Sequence, residues 1–256
     1  MSNLLEGKLA LVLGIANKWS LAYAIAQAFA REGATLALTC LASKYKDGLA
    51  DITKELPVAG IFPCDVTKEE EIAGLSEWLA GLGRPLDIVV HSLAFANRDD
   101  LSRDFVETPR SGFLLAQEVS AYSLVAIARA AAPLMTSGGA LMTLTYIGST
   151  RVVPNYNVMG VAKASLEASM RYLASDLGPK NIRVNAISAG PVKTASARAV
   201  KDFSSILDVV PKRAPLRRNT DPAEVADTAV FLASDLGRGV TGNILFVDAG
   251  LQLMGL

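Results

Sequence analysis

Short apolar runs and longer amphipathic stretches alternate along almost the whole chain. Residues 8–13 form an apolar run closed by Gly14, and an alanine-rich helical stretch over 20–31 follows, stopped by Gly33. The same pattern predicts strands at 35–40, 59–63, 86–91, 140–145, 182–187 and 243–247, the third weakened by Pro63. Between them it predicts helices over 44–56, 67–80, 112–132, 155–177 and 222–234. Thr67 and Glu70 have the spacing of a capping box, Gly178-Pro179 ends the 155–177 stretch, and Asp221-Pro222 opens the last. The 112–132 stretch reads as one uninterrupted helix. Only 192–220 lacks a clear period. Continuous apolar strands need both faces covered, which predicts a parallel sheet with helices on each side. Right-handed crossovers then give a single-domain, Rossmann-like, doubly wound α/β sheet of seven mainly parallel strands.

Composition narrows the partners. The 25 Lys and Arg residues balance 25 Asp and Glu, so the chain has no net charge with which to hold nucleic acid or an anionic membrane. Two cysteines, Cys40 and Cys64, and a single histidine, His91, exclude a disulfide framework and a histidine-rich metal site. No basic region followed by an apolar core opens the sequence, and the most apolar stretch, 121–135, is interrupted by Arg129. The expectation is a soluble cytoplasmic protein without metal, membrane or nucleic acid.

In a doubly wound sheet, ligands bind beyond the carboxyl ends of the strands where the topology reverses. Gly14-Ile15-Ala16-Asn17-Lys18-Trp19-Ser20 falls there. It contains one glycine instead of the G-x-G-x-x-G pattern, and Ser20 reads equally as a helix N-cap or a phosphate contact. Cys40-Leu41-Ala42-Ser43-Lys44, after the second strand, offers neither an acid for a ribose hydroxyl nor an arginine for a 2′-phosphate. Lys44 reads as a solvated side chain. Asp65 follows the third strand; with Thr67 as the helix cap it is free to accept from an adenine amino group, and otherwise it is the cap itself.

Tyr156 and Lys163 carry the strongest chemical signal. Seven residues at about 100° each return to nearly the same helix face, roughly 10 Å along the axis. An ammonium beside a phenol favours the phenolate and strengthens the phenol as a donor to a developing oxyanion.

With Tyr156-x6-Lys163, Asn185-Ala186-Ile187-Ser188-Ala189-Gly190-Pro191 and Val247-Asp248-Ala249-Gly250, the chain resembles the short-chain dehydrogenase/reductase family over nearly its whole length. Three departures from that family's usual pattern are the single-glycine turn, His91-Ser92-Leu93-Ala94-Phe95-Ala96, and a second tyrosine, Tyr146. These resemble the enoyl-acyl carrier protein reductase branch of fatty acid synthesis. The resemblance implies that Gly14, Ser20 and Leu21 hold the cofactor pyrophosphate, that Asp65 and Val66 contact adenine, and that Leu93 lies near the adenosine ribose. It implies that Lys163 binds the nicotinamide ribose and that Val192, Lys193, Thr194, Ala195 and Ser196 pass the nicotinamide. Tyr146 and Tyr156 are the implied catalytic pair, working with Lys163, and Ala96 touches the acyl substrate. Ala94 and Leu41 depart from the branch, where glycine and a polar residue are common. The arginine and lysine set of NADPH-preferring relatives is missing, so the implied cofactor is NADH rather than NADPH.

The resemblance also implies a homotetramer and an acidic acyl carrier protein as partner. The 192–220 segment reads as a substrate lid. Its Lys193, Arg198, Lys201, Lys212, Arg213, Arg217 and Arg218 face only Asp202 and Asp208 in acidity. That excess suits either a docking surface or a solvated face. Two other readings stay open on the same scaffold: a ketone or alcohol dehydrogenase, and a cofactor sensor without catalysis. His91 reads as structural, and the cysteines as buried thiols.

Overall fold

The computed structural model describes residues 3–194 and 203–255. Its strands are β1 (Leu9–Leu13), β2 (Thr35–Cys40), β3 (Val58–Pro63), β4 (Ile88–His91), β5 (Gly139–Thr145), β6 (Ile182–Ala189) and β7 (Ile244–Val247). They form one sheet in the order β3-β2-β1-β4-β5-β6-β7, with every neighbouring pair parallel. The order reverses between β1 and β4, which opens a crevice above their carboxyl ends. Pro63 is tolerated because β3 is an edge strand.

The helices are α1 (Leu21–Arg31), α2 (Lys46–Thr53), α3 (Glu69–Ala80), α4 (Arg98–Ser102), α5 (Arg110–Gln117), α6 (Ser123–Ala131), α7 (Asn157–Leu177), α8 (Phe203–Arg213) and α9 (Pro222–Ala233). Alternate side chains of β1 point to opposite faces. Ala10 and Val12 join Ile25 and Phe29 of α1 and Val225 of α9 in one buried layer. Leu9, Leu11 and Leu13 join Leu75 of α3, Leu124 of α6 and Leu166 of α7 in the other. This two-sided burial is why the strands carry apolar residues at every position instead of every second one.

The long helix expected over 112–132 is broken. A π-helical turn, Glu118–Tyr122, separates α5 from α6. Its extra residue brings two hydroxyls onto the end of β4. Buried Ser120 Oγ accepts from the Phe95 amide at 2.9 Å and donates to the Phe95 carbonyl at 3.1 Å. Ser123 Oγ donates to Val119 O at 2.7 Å and reaches His91. Within the helical stretch Arg110–Leu134 an 18-residue window has a mean hydropathy of 1.3, enough by length and composition alone for a membrane span, and half of that window is buried inside the fold.

The capping box expected at Thr67 also does not form. Lys68 is the N-cap of α3, without a side-chain cap bond. The Asp65 carboxylate instead accepts from both the amide and the hydroxyl of Thr67, at 3.0 and 2.8 Å. Asp221 does close its capping box with Glu224, with Pro222 in the first turn. Asn155 and Tyr156 precede α7 instead of opening it.

Phe29 is the largest fully buried side chain, wedged between β1 and α9. Phe29→Ala is expected to destabilise the fold by about 3–5 kcal/mol. Urea unfolding checks this as a lower midpoint with an unchanged slope.

Candidate active site

A cleft of about 830 Å³ lies over the β1–β4 crevice. Gly14, Ser20, Leu21, Leu93, Ala96, Tyr146, Tyr156, Lys163, Val192 and Thr194 all line it. Gly14 has φ +99°, and a side chain there would run into the Ser92 carbonyl, so β1 and β4 approach closely only through glycine. Ser20 makes no cap bond to α1; its hydroxyl donates to Asn17 O. The first turn of α1 thus meets the cleft without a side-chain acceptor, which suits an anionic pyrophosphate.

Asp65 lies apart from this cleft. It lines a second recess of about 470 Å³ with Leu41, Ser43, Lys44, Tyr45 and Glu71 at the ends of β2 and β3. Its neighbour Val66 is buried. The Asp65 amide donates to Glu71 at 2.6 Å, which fixes the turn. Lys44 Nζ sits 5.1 Å from the centre of the Tyr45 ring. Lys193 is exposed beside the main cleft. Ala195, Ser196, Arg198 and Lys201 lie outside the described residues.

At the catalytic end, the rings of Tyr146 and Tyr156 meet edge to face, with centroids 5.0 Å apart. Tyr146 follows β5 and Tyr156 precedes α7, so sheet and helix each supply one ring. Gly148 lies against Tyr156: a Cβ there would come within 2.5 Å of its ring. Burial drives the Tyr156 phenol well above its ordinary pKa, and Tyr146 adds to the rise. Burial, with Asp248 nearby, pushes Tyr146 up to about 12. The expectation that a lysine would favour the Tyr156 phenolate is thereby corrected. Burial sets the direction and favours the protonated phenol, the form that donates.

Lys163 is buried two turns into α7, and its Nζ donates to Leu144 O at 2.7 Å. Burial lowers its pKa to about 8, opposed by Glu167. One turn further, buried Glu167 accepts from the Thr145 hydroxyl at 2.6 Å. Met159, between Tyr156 and Lys163 in sequence, also lines the cleft, and the sequence did not single it out. Other wall residues were not legible in the sequence. Asp100, buried on α4, pairs with Arg103 at 3.2 Å, and Ile206 of α8 faces the cleft from the segment without a clear period.

His91 is fully buried, with Nε2 2.8 Å from Ser123 Oγ and Nδ1 3.0 Å from Thr143 Oγ1. Burial, then the Lys163 charge, lowers its pKa to about 3, so it is a structural tie between β4, β5 and α6. Both cysteines are buried free thiols, and burial raises Cys64 to about 12. As the chain has one histidine, its imidazole resonance is expected to stay flat between pH 8 and pH 5. An NMR titration centred near the ordinary value of about 6.5 would contradict this placement.

Comparison with known proteins agrees with this geometry. A family model described as enoyl-(acyl carrier protein) reductase matches residues 14–252. The chain is 52% identical over 254 residues to the NADH-linked enoyl-acyl-carrier-protein reductase FabI of Bacillus cereus, covering 98% of this chain and 99% of that one. It is 48% identical over 250 residues to the NADPH-linked FabI of Staphylococcus aureus, covering 97% and 98%. Its fold superimposes with a TM-score of 0.97 on a crystal structure of the Bacillus cereus reductase with NADP+ and indole naphthyridinone, at 52% identity and complete coverage of both chains. The family match over residues 14–252, the near-complete coverage of these relatives and the shared fold place the chain in the enoyl-acyl carrier protein reductase family of short-chain dehydrogenase/reductases.

Proposed function

We propose that this enzyme uses NADH in preference to NADPH to reduce the trans-2 double bond of enoyl thioesters. The observation that carries the reading is the cleft in which a protonated phenol and a buried ammonium share one wall. The preference for NADH is supported by the end of β2, where Leu41, Ala42 and Ser43 leave Lys44 as the single cation before Lys46. In the same recess Asp65 and Glu71 balance Lys44 and Lys68, and Lys68 is already paired with Glu71 at 2.7 Å, so the recess offers a 2′-phosphate no excess of positive charge.

When bound, the dihydronicotinamide supplies the hydride. The protein supplies geometry and charge. Gly14, Ser20 and Leu21 form the seat for the pyrophosphate, and the turn at Asp65 and Val66 forms the adenine end. Lys163 leaves Leu144 O to hold the nicotinamide ribose, with Val192 and Thr194 alongside the ring. Tyr156 donates to the thioester oxygen, and that bond strengthens as negative charge develops there. Tyr146 packs against Tyr156 and closes the wall opposite Ala96. Such positioning lowers the barrier because the reacting atoms are held close and aligned.

The segment 192–220 is the lid, with Ile206 as its face toward the acyl chain. Lys212 and Arg213, in the last turn of α8, are exposed and suit an acidic acyl carrier protein. Arg218 suits it less, because its guanidinium already pairs with Glu224 at 2.8 Å. Exposed Leu114 on α5 and Tyr172 on α7 offer apolar surface to other copies of the chain in a homotetramer, and the cytoplasmic location follows from the family likeness alone.

The decisive assay follows NADH oxidation with crotonyl thioester, with NADPH and acetoacetyl thioester as comparisons. Turnover is expected with the enoyl substrate and NADH; turnover of acetoacetyl thioester alone would reject the reading. In that assay Tyr156→Phe is expected to lower kcat by about 10²-fold or more. Lys163→Ala is expected to raise KM for NADH. Normal turnover by Tyr156→Phe would remove the donor assignment.

Reversing charge at Lys212 and Arg213 is expected to raise KM for a carrier-bound substrate and leave the coenzyme A analogue unchanged. Equal effects on both would discard the docking surface.

A further inference from the structure

Lys163 and Glu167 lie one turn apart on α7, and each is about 95% buried. Lys163 Nζ has a carbonyl, Leu144 O, as its hydrogen-bond acceptor, and a carbonyl does not neutralise an ammonium. Glu167 is held by the next residue along β5, where the Thr145 hydroxyl donates to its Oε1 at 2.6 Å. Consecutive residues of one strand therefore fix both charged groups of the helix. We propose that Glu167 is a positioning residue whose buried carboxylate is the counter-charge that keeps Lys163 an ammonium at the cofactor floor.

The surrounding groups leave this task to Glu167. From β4, the neighbour is His91, neutral in its buried site and unable to offer negative charge. From the end of β5 and the start of α7 come the phenols Tyr146 and Tyr156, both held protonated. Asp248, after β7, bears on Tyr146. From α4, the Asp100 carboxylate is taken by Arg103 and Asn97. From the π-turn, Tyr122 and Glu118 lie on the outer side, where Tyr122 reaches Glu69 on α3. The attraction of Glu167 opposes the desolvation that lowers the Lys163 pKa to about 8.

The inference rests on the proposed cofactor role of Lys163. The test is therefore NADH binding, read by fluorescence across pH 6–10 without any thioester. In the wild-type enzyme, affinity is expected to fall as pH rises through about 8, where the Lys163 ammonium is lost. Glu167→Gln keeps the acceptor for Thr145 and removes the charge. Its bend is expected at least about one pH unit lower, which weakens Kd about fivefold or more at pH 8 and about tenfold or more well above it. Thr145→Val, which keeps the charge, is expected to leave the bend in place. A folded Glu167→Gln enzyme with the wild-type bend would overturn the proposal. If that variant does not fold, Glu167→Asp, which retracts the charge by one methylene, is read the same way: a lowered bend supports the counter-charge and an unmoved bend overturns it. Failure of the wild-type enzyme to bind NADH at any pH would overturn the cofactor reading as well.

Discussion

Removing an ammonium from water costs several kcal/mol unless the protein returns hydrogen bonds and charge. The fold meets that cost at Lys163 with one strand. Leu144 turns its carbonyl to the ammonium, and Thr145 fixes Glu167 one turn below. Both residues are held in register by β6, opposite Ile187 and Ser188, and Thr143 just before them is paired on both sides, with β4 and β6. The same burial that lowers Lys163 raises Tyr156, so one apolar wall sets two protonation states. A neutral phenol and a charged amine beside it are what enolate stabilisation and cofactor holding require.

The rest of the molecule positions that wall. Reversal of strand order at β1 and β4 opens the cleft, and the close approach at Gly14 brings its two sides together. The π-turn before α6 serves the opposite side. Ser120 clamps both backbone groups of Phe95, which fixes the loop carrying Leu93 and Ala96. Ser123 ties the same helix to His91, so the loop and β4 are held from one element.

Much of this was legible in the sequence because parallel strands buried on both faces are continuous apolar runs, which periodicity detects well. Tyr156 and Lys163 do line one cleft, although Tyr156 is the N-cap of α7 and not part of the helix face that their spacing suggested. The π-turn was hidden, since an i→i+5 turn changes no hydrophobic position strongly enough to register. Five-residue α4 is too short to show a period, and α8 includes Pro211, which breaks the expected pattern. At Thr67 the Asp65 carboxylate accepts the amide proton that a capping box would give to Glu70 and also holds the hydroxyl, and the N-cap falls at Lys68 instead. The phenol was misjudged because charge proximity can be read from spacing, whereas burial depends on tertiary packing around Tyr156.

The most direct test is a crystal structure with NADH and a non-reducible enoyl thioester analogue. The expected result has Lys163 Nζ transferred from Leu144 O to the ribose hydroxyls and the Tyr156 hydroxyl within hydrogen-bond distance of the thioester oxygen. A complex in which Lys163 stays on Leu144 O while Tyr156 lies beyond reach of that oxygen would contradict the account.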